Sequence, residues 1–139
     1  MKIRNATSKD RKKITELYFG LYPDWKRKVK GKVPLDTKVK KIVLLAEDKK
    51  DVVGFCWANL IQHGFSKFGY IEDLFVSEGS RKKGVGTMLV KRVVKEMKKK
   101  GVAAIFITTS RKNKNAIEFY KKSGFIVDKN VWLYWSRKK

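Results

Sequence analysis

The chain has 139 residues and carries 35 Lys and Arg against 13 Asp and Glu, a formal charge of +22. That length suits one compact domain spanning residues 1–139 and leaves no room for a second, while a hydrophobic share of 42% excludes a disordered polycation. No apolar run approaches the ~20 residues that span a bilayer, and the start MKIRNATSKD lacks a signal-peptide core, so a soluble, cytoplasmic protein is expected.

Lys2 to Ala6 reads as a short strand, and Thr7, Ser8 and Asp10 are residue types that open helices. Ile14, Leu17, Tyr18 and Leu21 follow at helical spacing, and the helix should stop before Pro23. Residues 23–34 read as a loop, and a short helix is expected from Leu35 to Lys40. Tyr22 and Trp25 in this region either line an acceptor pocket or pack on the core.

The run from Ile42 to Asp48 is β-branched and apolar, Lys49 to Asp51 make a polar turn, and Val52 to Ile61 complete a hairpin. Phe68 to Val76 adds a third strand, and the middle one, apolar on both faces, should be central. Cys56, the only cysteine, lies in that middle run, which excludes an internal disulfide and a cysteine metal cluster and predicts a buried thiol. His63 is the only histidine and sits in a turn beside Gly64, so no metal is expected.

After Val76 comes the loop SEGSRKKG, then Val85, Leu89, Val93 and Met97 on one face of an amphipathic helix closed by Gly101. VAAIFITTS from Val102 is another strand. A strand, helix, strand order implies a right-handed crossover and parallel pairing. Asn113 to Ser123 predicts a further helix stopped by Gly124, and Val131 to Trp135 a last strand. The fold class is therefore α/β, a mixed and mostly antiparallel sheet flanked by helices.

The sharpest local feature is Arg81-Lys82-Lys83-Gly84-Val85-Gly86-Thr87, between a strand and a helix. The first N–H groups of a helix have no intrahelical partner and the dipole there is positive, so an anion is favoured by roughly 0.3–2 kcal/mol. Glycines let a phosphate approach the backbone. Gly79 and Gly84 have Walker A separation, but Val85 and Gly86 stand where Lys and Ser or Thr belong. A dinucleotide fingerprint starting at Gly84 would put its third glycine on Leu89. ATP and NAD are therefore disfavoured.

R-K-K-G-V-G after IEDLFV resembles the pyrophosphate-binding motif A of the GNAT acetyltransferases, and Asn113 to Phe125, NKNAIEFYKKSGF, resembles their motif B. The likeness is strong from Phe68 to Phe125. It implies a single-domain GNAT-like sheet with a central parallel splay, a bulged strand, and acetyl-CoA as cosubstrate. By the same resemblance the backbone at Leu74, Phe75 and Val76 would bind the pantetheine arm, and Arg81, Lys82, Lys83, Gly84, Val85, Gly86 and Thr87 the pyrophosphate. Asn113 would lie against the cofactor or cap its helix. Tyr120 matches the tyrosine that protonates the leaving thiolate, its alternative being a core aromatic.

Glu72 is the candidate base, with an ion-paired or surface carboxylate as its alternative. The segment YIEDLFV around it is similar to the diamine and polyamine acetyltransferase branch. Asp73 should face the opposite side unless a bulge alters the alternation. The resemblance implies acetyl transfer by direct attack of a primary amine, on a polyamine or small molecule or on a protein N-terminus or lysine.

Two other readings stay open: a basic nucleic-acid-binding protein, and a GNAT-like domain that binds CoA without turnover. The positive charge fits association with nucleic acid, and equally a solvated lysine-rich face. No membrane partner is expected, and a homodimer is left open.

Overall fold

The computed structural model describes residues 1–137, in two units, Met1–Thr108 and residues 109–137. Within the first lie helices α1 (Arg11–Leu21) and α2 (Trp25–Lys28), strands β1 (Lys38–Asp48), β2 (Asp51–His63) and β3 (Ser66–Val76), helix α3 (Val85–Lys99) and strand β4 (Ala104–Ile107). The second unit holds helix α4 (Lys114–Lys122).

The sheet runs in the order β1-β2-β3-β4. The first three strands form the expected antiparallel meander, and β3 pairs with β4 in parallel through Phe68↔Ala104 to Ile71↔Ile107. The α/β class and its mixed sheet are as the sequence predicts.

Alternation along β2 explains which face is buried. Gly54, Cys56, Ala58 and Leu60 point inward, and opposite them on β3 stand Val76, Leu74, Ile71 and Gly69. α3 covers this face with Leu89, Val90, Val93 and Met97, all buried, each side chain contributing ~1.5–3 kcal/mol. Gly69 has no Cβ because Met97 occupies that space. The other face of the sheet leaves Trp57 42% and Phe75 49% exposed.

α1 is tied to the following loop rather than to the sheet centre. Thr15 Oγ1 accepts from the Val33 amide at 2.9 Å and donates to the Arg11 carbonyl at 2.6 Å. Arg11 donates to the carbonyls of Lys32 and Val33.

Several elements differ from expectation. Lys2 to Ala6 is not a strand: it pairs with no strand among the described residues, and Arg4 is instead held by Asp10 at 2.8 and 2.9 Å. Leu35 to Lys40 is not a helix, because β1 begins at Lys38 to match the length of β2, pairing Lys38 with Gln62. The expected loop instead contains α2, whose Trp25 ring sits 6.1 Å from Phe65. Val131 to Trp135 is not a strand, its residues 62–91% exposed; the unit that carries it holds no strand among the described residues.

Candidate active site

The site is built where β3 leaves its neighbour. Pairing with β4 stops at Ile71, yet β3 continues to Val76 with β2 as its only strand partner among the described residues. The backbone of Leu74, Phe75 and Val76 thus borders an open sheet edge, which an extended amide chain can pair with. This is the splay that the sequence resemblance implies.

A bulge lies at the point of departure. Trp57 faces Asp73 and Ala58 faces Ile71, so Glu72 has no residue opposite it. The extra residue breaks strict alternation, and Glu72 and Asp73 are both exposed. Asn59 Nδ2 donates to Glu72 Oε1 at 3.0 Å. The expectation that Asp73 would turn away held only for an unbulged strand.

The loop after β3 is shaped by left-handed residues. Lys82 has φ 59° and Gly84 φ 81°, and Gly84 is the N-cap of α3. Met88 is the first residue of the helix whose N–H reaches back, donating to Gly84 O at 3.0 Å. The N–H groups of Val85, Gly86 and Thr87 before it are therefore those that no helical carbonyl can serve. Arg81 is held by its Nε donating to Val76 O at 2.9 Å, with its guanidinium 5.8 Å from the Phe75 ring centre. Lys82 and Lys83 are exposed beside it. A cluster of open amides at a positive dipole end, rimmed by cations, has the chemistry that suits an anion.

Asn113 and Tyr120 belong to the second unit. Asn113 caps α4, its Oδ1 accepting from the Ala116 amide at 3.1 Å. Tyr120 is half-buried on α4, its ring 5.0 Å from Phe119 and 5.8 Å from Phe125. Gly124 ends this helix at φ 93°.

Two features escaped the sequence reading. Asn59 was one polar residue in an apolar run, and only strand register brings it to Glu72. Tyr70 Oη lies 3.0 Å from Thr108 Oγ1, joining β3 to the end of β4. Tyr22 and Trp25, left between two roles, join an aromatic cluster in which Tyr18 lies 4.9 Å from Tyr22 and 5.7 Å from Phe65. His63 Nδ1 is 3.4 Å from Thr37 Oγ1. Cys56 is buried as expected; burial, with the Asp73 charge adding, pushes its thiol up to about 11. No helix among the described residues is long and apolar enough to cross a membrane.

Comparison with known proteins returns acetyltransferases. Residues 11–125 match the model of the acetyltransferase (GNAT) family. An uncharacterized N-acetyltransferase of Methanocaldococcus jannaschii is 31% identical over 146 aligned positions, covering 97% of this chain and 64% of that protein. The N-alpha-acetyltransferase 30 of Xenopus laevis is 36% identical over 67 residues, 48% of this chain and 24% of its own length. This chain thus spans under two thirds of either relative. A solved putative acetyltransferase from Agrobacterium tumefaciens superposes with a TM-score of 0.65 at 16% identity, over 98% of this chain and all of that one, a likeness of fold.

Proposed function

The chain belongs to the acetyltransferase (GNAT) family, and from that premise we propose that it transfers an acetyl group from acetyl-CoA to a primary amine. The observation that carries this reading is the open β3 edge running straight into the amide cluster ahead of α3. An arm of amides followed by a diphosphate is the chemical order of the CoA molecule, and these backbone groups follow the same order. Leu74, Phe75 and Val76 would hold the pantetheine. Arg81, Lys82, Lys83 and the amides from Gly84 to Thr87 would hold the pyrophosphate, and Asn113 would support the cofactor in addition to capping its helix.

The reaction must take two protons off the nitrogen and put one on the sulfur. A protonated amine has no lone pair to attack with, so Glu72 accepts its proton, directly or through a water. The nitrogen then adds to the thioester carbonyl, the C–S bond breaks, the thiolate takes a proton from Tyr120, and the new amide nitrogen sheds its second proton to solvent, from which the phenol is restored. A phenol, with an ordinary pKa near 10, is protonated at neutral pH and acidic enough for that step.

The acceptor is drawn in as a cation. On a chain of net charge +22, Glu72 and Asp73 present adjacent exposed carboxylates, a local attraction for an ammonium group. That supports polyamines and small amines as well as protein N-termini and lysines, and the similarity to an N-alpha-acetyltransferase adds weight to the N-terminus. The charge elsewhere supports association with a polyanion in addition to catalysis.

The test is a panel of polyamines, lysine and short peptides with free N-termini, each incubated with acetyl-CoA while CoA thiol release is followed. Acetylation of at least one class, with Tyr120→Phe lowering turnover but retaining acetyl-CoA affinity, is the expected result. Tight acetyl-CoA binding with no acceptor in any class would favour a non-catalytic CoA-binding domain. No affinity for acetyl-CoA in folded protein would end the proposal.

A further inference from the structure

The charge of this chain is not evenly spread. At the β1–β2 hairpin, the end of the sheet where β3 also finishes and α3 begins, the charges are mixed: Glu47, Asp48 and Asp51 stand among Lys49, Lys50 and the Arg81-Lys82-Lys83 loop. The opposite end is rich in lysine. There Lys38 pairs with Gln62 and Gln62 with Lys67, placing both lysines on one row across three strands. Lys40, opposite Leu60, shares their face by alternation, and it is the face that Met97 covers at Gly69. α3 ends at this level with Lys98, Lys99 and Lys100, and the Ala103 amide donates to Lys67 O at 2.8 Å. All these lysines are exposed, and no ion pair engages them among the described residues.

Aromatic rings lie at the same end, where Tyr18 reaches Gly64 in the turn between β2 and β3. Phe65, two residues before Lys67, touches Tyr18, Phe19 and Trp25, and Trp25 opens the basic segment Lys26, Arg27, Lys28. Tyr22, at the rim of this cluster, is 46% exposed. We propose that this end of the unit docks single-stranded nucleic acid, with the lysines on the phosphates and Tyr22 stacking on a base. Lysines alone would serve any polyanion; an exposed ring at the same end of the unit is what a base uses and an acidic peptide does not. The row from Lys38 to Lys67 carries Gln62 between them rather than an apolar anchor, which is a poor fit to a bilayer. The surface is distinct from the β3 edge and the Gly84 loop, so it goes beyond the acetyl-transfer reading.

The experiment uses the whole chain and a fluorescein-labelled 20-nucleotide oligo-U, read by anisotropy over a salt series. A variant carrying Lys98→Gln, Lys99→Gln and Lys100→Gln is compared with one carrying Lys49→Gln, Lys50→Gln and Lys129→Gln, which loses the same charge elsewhere. The first should bind at least about tenfold more weakly, with the slope of log K against log salt shallower by about 2, and the second should stay near the parent. Tyr22→Ala should weaken binding about fivefold or more without changing that slope. Both lysine variants should retain acetyl-CoA affinity and the parent circular dichroism, which separates this surface from the cofactor site. Equal losses in the two lysine variants, or tighter binding to polyglutamate or phosphatidylserine vesicles than to the oligonucleotide, would overturn the proposal.

Discussion

Asn59 holds Glu72: the amide of one strand donates to the carboxylate of the next at 3.0 Å, at the place where β3 bulges. The bond occupies one carboxylate oxygen and fixes the direction of the side chain. The other oxygen is left for an incoming amine or its water. Glu72→Gln keeps the shape and removes the base, so turnover should fall by roughly 10²–10⁴-fold at neutral pH while acetyl-CoA affinity is kept. Asn59→Ala should cost less, mainly in kcat, because the carboxylate survives but loses its orientation. A Glu72→Gln enzyme with parental turnover removes the base assignment.

Much of this was legible from residues alone, for identifiable reasons. The meander, α3 and α4 follow from runs whose periodicity local physics reads directly, with Gly124 and the basic last turn marking ends. The turn ahead of α3 was legible because left-handed backbone selects glycine, and Gly84 stands at φ 81°. What failed depended on partners far away in sequence. β1 reaches back to Lys38 because β2 is long enough to pair with it. Lys2 to Ala6 and Val131 to Trp135 have strand composition, but a strand exists only with a neighbour. The bulge at Glu72 is likewise a property of two strands together, so neither Asn59 nor the exposure of Asp73 was readable from one.

Gly84 separates backbone conformation from side-chain clash. A Cβ built there meets nothing within 4 Å, so Gly84→Ala is opposed by the left-handed conformation alone, a cost of ~1–2 kcal/mol. The chain can relieve that strain by turning the loop, which swings the amides of Val85 to Thr87 off their common aim. Calorimetry should therefore show weaker acetyl-CoA binding together with a melting temperature a few degrees lower. Unchanged affinity would mean that the amide cluster does not hold the cofactor.

Gly69 makes the opposite test, of packing without strain. Any Cβ there meets Met97 Sδ and Cε, and lies 3.3 Å from Ile105 Cγ1. Met97 is flexible but fully buried, so its end has nowhere to go. Gly69→Ala should destabilise by about 1–3 kcal/mol in denaturant titration. Combined with Met97→Ala, it should cost less than the two separate losses added, since each relieves what the other creates.

Cys56 should be silent in any thiol-release assay of the native protein. It is wholly buried, and with its thiol pushed up to about 11 it carries almost no thiolate at neutral pH. A chromogenic disulfide reagent should detect CoA alone in the native state, and one further thiol per chain after unfolding. Fast labelling of native protein would show that the β2 face under α3 opens.

Asp10 gives the chain a defined acid sensitivity. Its carboxylate accepts two bonds from Arg4, at 2.8 and 2.9 Å, and one from the Thr7 amide at 2.8 Å. The Arg4 bonds foremost, then the Thr7 amide, hold it well below the usual carboxylate range. The unfolded chain binds that proton more readily than the folded one, so the stabilisation is complete above the ordinary aspartate pKa of about 3.9 and drains away as pH falls below it. Asp10→Asn should therefore melt below the parent at pH 7, and the two melting curves should converge between pH 4 and strong acid. Arg4→Gln should show the same convergence with a smaller gap, because the Thr7 amide still favours the charged carboxylate. A gap that persists unchanged down to pH 2 would assign the loss to the altered turn at Ser8–Asp10 instead of to the charge.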